Sequence, residues 1–182
     1  MHTMRGLLGW DATAVAAAAT VMIAVAACSQ TVGGTAERGR PGVPDAQRSY
    51  GYVDGRCGLL HDDAIKDLLG ANSLVKPFSG AVCQYLLTAD EGLIDVVFSW
   101  FDKGSIDRER GVATDRGSRI TDKDVARHPA FLAQRPDNPS ACSATAAAGS
   151  GVLTWWVQFR PTAGDPCEAA EKLLSATLSA DV

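Results

Sequence analysis

The chain has 182 residues, of which 46% are hydrophobic and 21% are charged, and its formal net charge is −4 at pH 7. Its lysines and arginines are interleaved with acidic residues and form no basic run, so we expect no nucleic-acid partner. With three histidines and five cysteines in total, few side chains are suited to metal binding or nucleophilic catalysis.

Residues 1–27 are typical of a bacterial secretory signal. Arg5 supplies the positive start, residues 12–27 form an Ala/Val/Met/Ile run, and small residues at positions 25–27 precede Cys28, as in a lipobox. The run is shorter than the roughly 20 strongly apolar residues of a spanning helix. We therefore expect export, cleavage before Cys28, and acylation of Cys28 with chains such as palmitate, which hold the protein to the outer face of the cell membrane. Cleavage elsewhere as a plain signal peptide is the alternative.

A polar segment separates this signal from the rest of the chain. Residues 28–50 comprise the lipidated cysteine and a stretch rich in Gly, Thr, Arg, Pro and Ser without a large aliphatic run. This composition predicts a flexible tether, which holds the domain roughly 25 Å from the lipid on average. Residues 51–182 are then predicted to form one domain, of a size that can bury its own core.

Four cysteines remain in this domain when Cys28 carries the lipid. In an exported protein an even number of cysteines favours disulfides. Four cysteines allow three pairings, and we expect Cys57 with Cys83 and Cys142 with Cys167, each closing a loop of about 26 residues. A zinc site would use close C-x-x-C pairs, which the sequence lacks, so we expect no metal and no cofactor.

Hydrophobic periodicity predicts the first elements of the domain. A short helix begins at Asp62 and Asp63 and stops before Gly70. Strands over residues 81–88 and 93–101 are joined by a polar turn and form an antiparallel hairpin. A second helix follows Ser105 and runs to about residue 116.

The charged segment from Arg108 to Arg127 alternates acids with bases, which favours a solvated helix face with intrahelical pairs. Strands are predicted over residues 130–134, 142–147 and 152–159, and a C-terminal helix begins at Asp165-Pro166. This order of elements predicts a single α+β domain, stapled by disulfides, in which helices cover an antiparallel sheet.

The strongest strands carry apolar side chains on both faces of the predicted sheet. One face has enough large residues to define a core, namely Ile94, Val96, Phe98, Trp100, Leu153, Trp155, Val157 and Phe159. The opposite face carries Val97, Phe101 and Trp156. Either a helix covers this second face, or it binds a lipid-like or aromatic ligand.

The domain contains two histidines, His61 and His128, and neither lies in a nucleophile or metal signature. The lack of a convergent catalytic set favours a non-enzymatic binding or interaction module, with an apolar small molecule or an envelope protein as partner. A small envelope hydrolase that uses His128 or His61 with a nearby carboxylate is the alternative.

Several short motifs occur in a characteristic order between Cys57 and the C-terminus: Cys83-Gln84-Tyr85, Phe98-Ser99-Trp100-Phe101, Gly104-Ser105-Ile106, Arg108-Glu109-Arg110, His128 with Phe131, Cys142, Trp155 with Val157 and Phe159, and Pro166-Cys167-Glu168. Together they resemble the LprB and LprC type of exported lipoproteins from mycobacteria and related actinobacteria. Tyr85 stands where that family often carries tryptophan. The resemblance implies a cell-envelope location and supplies no catalytic residues.

Overall fold

The computed structural model describes residues 43–162 and 164–180. The predicted signal, Cys28 and most of the predicted tether lie outside these residues. The described elements are, in chain order, β1 (Tyr52–Val53), β2 (Arg56–Cys57), α1 (Asp62–Leu68), β3 (Ser73–Phe78), β4 (Val82–Ala89), β5 (Gly92–Phe101), α2 (Ile106–Asp115), β6 (Arg119–Val125), β7 (His128–Gln134), β8 (Ala141–Ala148), β9 (Gly151–Arg160) and α3 (Pro166–Ser179).

Seven strands form one antiparallel sheet in the order β3-β4-β5-β9-β8-β7-β6, and β1 and β2 form a separate short ribbon. The predicted α+β class with an antiparallel sheet is therefore confirmed, as is the β4–β5 hairpin. Its turn requires Gly92, because the backbone there has φ 137° and a Cβ would collide with the carbonyl oxygen of Arg160.

The main core lies on the face of the sheet that the alternation predicted. Trp155 is at its centre, with its ring centroid 4.9 Å from that of Phe98 and 6.2 Å from that of Tyr85. Its indole Nε1 donates a hydrogen bond of 2.9 Å to Oγ1 of Thr177 in α3. Of the eight residues predicted for this face seven are buried, and Phe159 is half-buried. Helices α1 and α3 supply the other side of this core.

Both edge strands were missed by the sequence interpretation. The charged segment predicted to lie on a helix face is helical only as far as the end of α2. The helix stops there because Gly117 adopts φ 77°. The Gly117 amide donates a hydrogen bond to the carbonyl oxygen of Thr114, and the Ser118 amide donates one to that of Ala113. The chain then pairs with β7 as β6, whose charged side chains face water at the edge of the sheet. At the other edge, β3 contains Pro77 and an irregular register, features that weaken its strand signal.

The fold also begins before Gly51, where composition predicted only a tether. Tyr50 is fully buried, with its ring 5.7 Å from that of Trp100 and 6.4 Å from that of His128. The Arg48 guanidinium lies over the Tyr50 ring and donates a hydrogen bond to the carbonyl oxygen of Ala180 after α3. Composition alone missed this boundary because one aromatic and one arginine anchor an otherwise polar segment.

Both expected disulfides are present in the structure. Cys57 is bonded to Cys83, which links β2 to β4, and Cys142 is bonded to Cys167, which links β8 to the first turn of α3. Each bond thus fastens a peripheral segment to the central sheet. Within residues 43–162 and 164–180, no helix has the length and apolar character needed to cross a membrane.

Candidate functional site

Helix α2 covers one half of the second face of the sheet. Its Ile106 forms a small apolar cluster with Phe131, Val152 and neighbouring alanines, and it packs on β6, β7 and β8. The Arg110 guanidinium lies 4.9 Å above the Phe131 ring and forms an ion pair with Asp122. A helix therefore covers this half of the second face. This agrees with the covering helix that was one of the two alternatives predicted from the sequence.

The other half of the second face, on β3, β4, β5 and β9, has no helix over it among the residues that the structure describes. Val75 is 60% exposed, Phe78 58% and Phe101 48%. We call this surface the open face, and its apolar members are Val75, Phe78, Val82, Leu86, Leu93, Val97, Phe101 and Trp156. Exposed apolar side chains that adjoin one another on one face often mark a binding surface.

The strand register sets these side chains side by side in rows. The central row runs through Phe78, Gln84, Val97 and Trp156, which are consecutive partners across four strands. Neighbouring strands lie about 4.8 Å apart, so the row is a continuous band rather than a set of isolated residues. The row on one side contains Val75, Leu86, Asp95 and Gln158, and the row on the other contains Val82, Ser99 and Thr154.

The structure brings two of the three predicted ligand-face residues into contact range. Val97 and Trp156 are direct cross-strand partners, whereas Phe101 is four residues further along β5, about 13 Å from Val97, and pairs with Val152 beside the α2 cluster. The sequence interpretation missed Val75 and Phe78, which are the most exposed apolar residues of the face. The two residues are three apart and share a face only because the register shifts between them, so period-two alternation does not reveal them.

The open face carries little charge. Asp95 is the one charged residue of these three rows, and the Arg160 guanidinium neutralises it, with Nε 2.6 Å from Oδ2. The remaining polar members are amides and hydroxyls: Gln84, Gln158, Ser99 and Thr154. The open face is thus an apolar, aromatic surface with an uncharged polar fringe.

A family model described as "Protein of unknown function (DUF3558)" matches residues 23–180, which is most of the chain. The chain belongs to this family. No curated protein matches the sequence, and no solved structure matches it. The matched region of this DUF3558 protein includes the seven-stranded sheet and the open face.

The two histidines of the DUF3558 domain lie in different parts of the fold. His128 is 1% exposed, and its Nδ1 lies 2.9 Å from the carbonyl oxygen of Ala147. His61 is exposed and precedes α1, where the neighbouring carboxylates of Asp62 and Asp63 pair with lysines. Within the described residues, no group of three His, Cys, Asp or Glu side chains is placed to hold a metal ion.

Burial makes His128 a source of pH-dependent stability in the DUF3558 domain. Desolvation lowers the pKa of His128 below its ordinary value of 6.5, although the bond to Ala147 opposes this shift. The unfolded chain therefore binds a proton at a higher pH than the folded one, so acid favours unfolding. The stability that neutral His128 provides is complete above pH 6.5 and is lost as the pH falls toward the folded-state pKa.

We expect the variant His128→Asn to lose less stability than the wild type on going from about pH 7 to about pH 5. Asparagine retains a donor that can reach the Ala147 carbonyl but does not titrate. Urea unfolding at a series of pH values measures the effect, with His61→Gln as the matched control at an exposed histidine. Equal pH slopes for His128→Asn and the wild type would contradict the assignment.

Proposed function

We propose that this protein is exported, anchored to the outer face of the cell membrane through acyl chains on Cys28, and binds another envelope protein through its open face. It is then a non-enzymatic interaction module of the LprB and LprC lipoprotein type. The single observation that carries the binding part is the exposure of Phe78 and Val75 on the same sheet face as the half-buried Trp156.

The chemistry of the open face favours a protein partner over a small molecule. A drug-sized ligand is usually enclosed by the walls of a concave pocket, whereas these side chains stand in rows on adjacent strands. Exposed aromatic residues with few lysines or glutamates around them are typical of a protein–protein interface. The partner surface should therefore be apolar and uncharged.

The same chemistry disfavours docking of this face on an anionic lipid surface. Such docking draws much of its affinity from clustered lysine and arginine side chains around the apolar residues. None of the three rows contains a lysine or arginine, and Arg160, which pairs with Leu93 next to them, already forms an ion pair with Asp95. The acyl chains on Cys28 then supply the membrane attachment, and the open face remains available to a protein.

The position at which the tether joins the fold supports a partner close to the membrane. Val43 packs against the α2 cluster that includes Val152, and Val152 is the cross-strand partner of Phe101. The tether thus joins the domain on the side of the open face. The composition of residues 28–42 predicts a coil, and 15 residues of coil have an average span of about 21 Å and a maximum of about 50 Å.

Trp156→Ala should lower the free energy of unfolding by only about 1 kcal/mol, because the indole is half-exposed and leaves no enclosed cavity. It should, however, abolish partner binding, because tryptophan side chains carry a large share of the affinity of the interfaces that contain them. The photocrosslinker p-benzoylphenylalanine in place of Phe78, introduced in the native host, measures the binding directly.

The expected result is one discrete crosslinked species that disappears when Trp156→Ala is added. The same crosslinker in place of Tyr52, which is similarly exposed on the β1–β2 ribbon, is the matched control and should not give that species. If Trp156→Ala unfolds the domain, or if the species forms equally from position 52, the open face is not the binding surface.

The anchoring part is tested separately. Acyl label should be incorporated into the wild type in a native host, and globomycin should block its processing. The variant Cys28→Ala should lose the label and leave the membrane fraction. A soluble, unacylated wild-type product would contradict the anchor without affecting the open face.

A further inference from the structure

A second surface feature lies at the ends of β4 and β5, where a cleft of about 430 Å³ opens between the end of α1, the β4–β5 turn and the start of α3. Its apolar lining includes Leu68 and Leu93, which are 37% and 36% exposed, together with Ile94 and Phe159. The volume is in the range of natural small-molecule sites. The cleft therefore differs from the open face in having walls on several sides.

Gly164 leaves an aromatic ring accessible in this cleft. A Cβ built on Gly164 would lie 3.6 Å from Cζ of Phe159, so any side chain at that position would begin to cover the ring. The backbone of Gly164 has φ 84°, a conformation that also favours glycine. Phe159 is half-buried and lines the cleft, so the part of its ring that Gly164 leaves uncovered can contact the apolar body of a ligand.

The charges around the cleft are mostly negative. Glu168 and Lys172 neutralise each other at 2.8 Å, and Asp165 accepts hydrogen bonds from two amides at the start of α3. Among the described residues, Lys172 is the one cationic residue of the lining, and it is paired with Glu168. No ion pair within 4.0 Å joins Asp90 or Glu91 on the β4–β5 turn to a lysine or arginine of this part of the chain. Asp90 accepts a hydrogen bond of 2.6 Å from Asn72, which fixes its carboxylate at the rim.

We propose that this cleft binds a small amphiphile with a cationic ammonium head and a short apolar body. The head is held at the rim by the carboxylates of Asp90 and Glu91, and the apolar body contacts Leu68, Leu93 and the Phe159 ring. Charge complementarity favours a cationic ligand. An anionic head of the same size would be repelled by the two carboxylates, and Lys172, which could attract it, is already paired with Glu168.

Binding of octyltrimethylammonium, followed by NMR titration of the folded domain, tests the proposal. The largest shifts should occur at Leu68, Leu93 and Phe159. Octyl sulfate, which has the same chain and the opposite charge, should bind about tenfold more weakly. Equal affinity of the two probes, or shifts centred on other residues, would overturn the proposal.

A double variant separates the rim charges from the apolar lining. Asp90→Asn with Glu91→Gln should weaken octyltrimethylammonium binding about fivefold. Asp115→Asn with Asp124→Asn makes the same charge change at exposed positions outside the cleft and should have no such effect. An equal loss in both double variants would mean that net charge, not the cleft, controls binding. Trp156→Ala should bind the probe normally, so this test does not depend on the function proposed for the open face.

Discussion

Replacing Cys142 and Cys167 together with alanine should lower the free energy of unfolding by about 3.5 kcal/mol. In the chain-entropy model a disulfide stabilises by restricting the unfolded chain, and a separation of 25 residues gives a contribution of this size. The bond fastens the start of α3 to β8. Because Leu173 and Leu174 of α3 are fully buried in the core, loosening this helix affects the whole domain.

Urea unfolding of the oxidised variant and wild type measures this difference. Cys57→Ala with Cys83→Ala is the matched comparison, because the loop that this disulfide closes spans 26 residues, almost the same length. The chain-entropy model therefore gives almost the same loss of unfolding free energy. Reduction of the wild type should lower the melting temperature by more than either variant does. A melting temperature that is insensitive to reduction would show that the bonds do not contribute to stability.

Trp155→Ala should lower the free energy of unfolding by about 3–5 kcal/mol, the cost of removing a large buried aromatic side chain. Trp155 has no exposed surface, and its loss leaves a cavity beside Phe98 and Tyr85. It also leaves the buried hydroxyl of Thr177 without the indole donor. Chemical denaturation with far-ultraviolet circular dichroism measures the effect.

The adjacent residue is the natural control for this prediction. Trp156 is next to Trp155 on β9 but faces the other side of the sheet, where it is half-exposed. The two alanine variants delete the same side chain from neighbouring positions, so their difference reports the two faces directly. Equal losses would mean that the open face is covered in solution, which would contradict the proposed interface.

The central strands could be predicted from the sequence because they alternate over many residues. β5 and β9 each span ten residues and carry large apolar side chains toward the core, so periodicity determines both the element and its buried face. The edge strands β3 and β6 have partners on one side only, and tolerate the charges and the proline that conceal them. Their formation depends on pairing with another strand.

The residues of the open face were partly predictable from the sequence, but their exposure was not. Val97, Phe101 and Trp156 follow from the period of β5 and β9, but the sequence did not determine whether a helix covers them. That depends on the position of α2, which packs over β6 to β8 and leaves β3 to β5 uncovered. The cleft was not predictable, because its walls come from α1, the β4–β5 turn and α3, which are distant in the chain.

The anchoring of Arg48 and Tyr50 determines how the domain would respond to force. If the lipid is fixed in the membrane and the partner is pulled away, tension enters the domain through residues 43–50. It is resisted by extraction of the Tyr50 ring from between Trp100 and His128 and by the bond from Arg48 to Ala180. The first segment to yield would be this short N-terminal stretch, while the sheet and both disulfides stay intact, so the reach of the tether would lengthen under load.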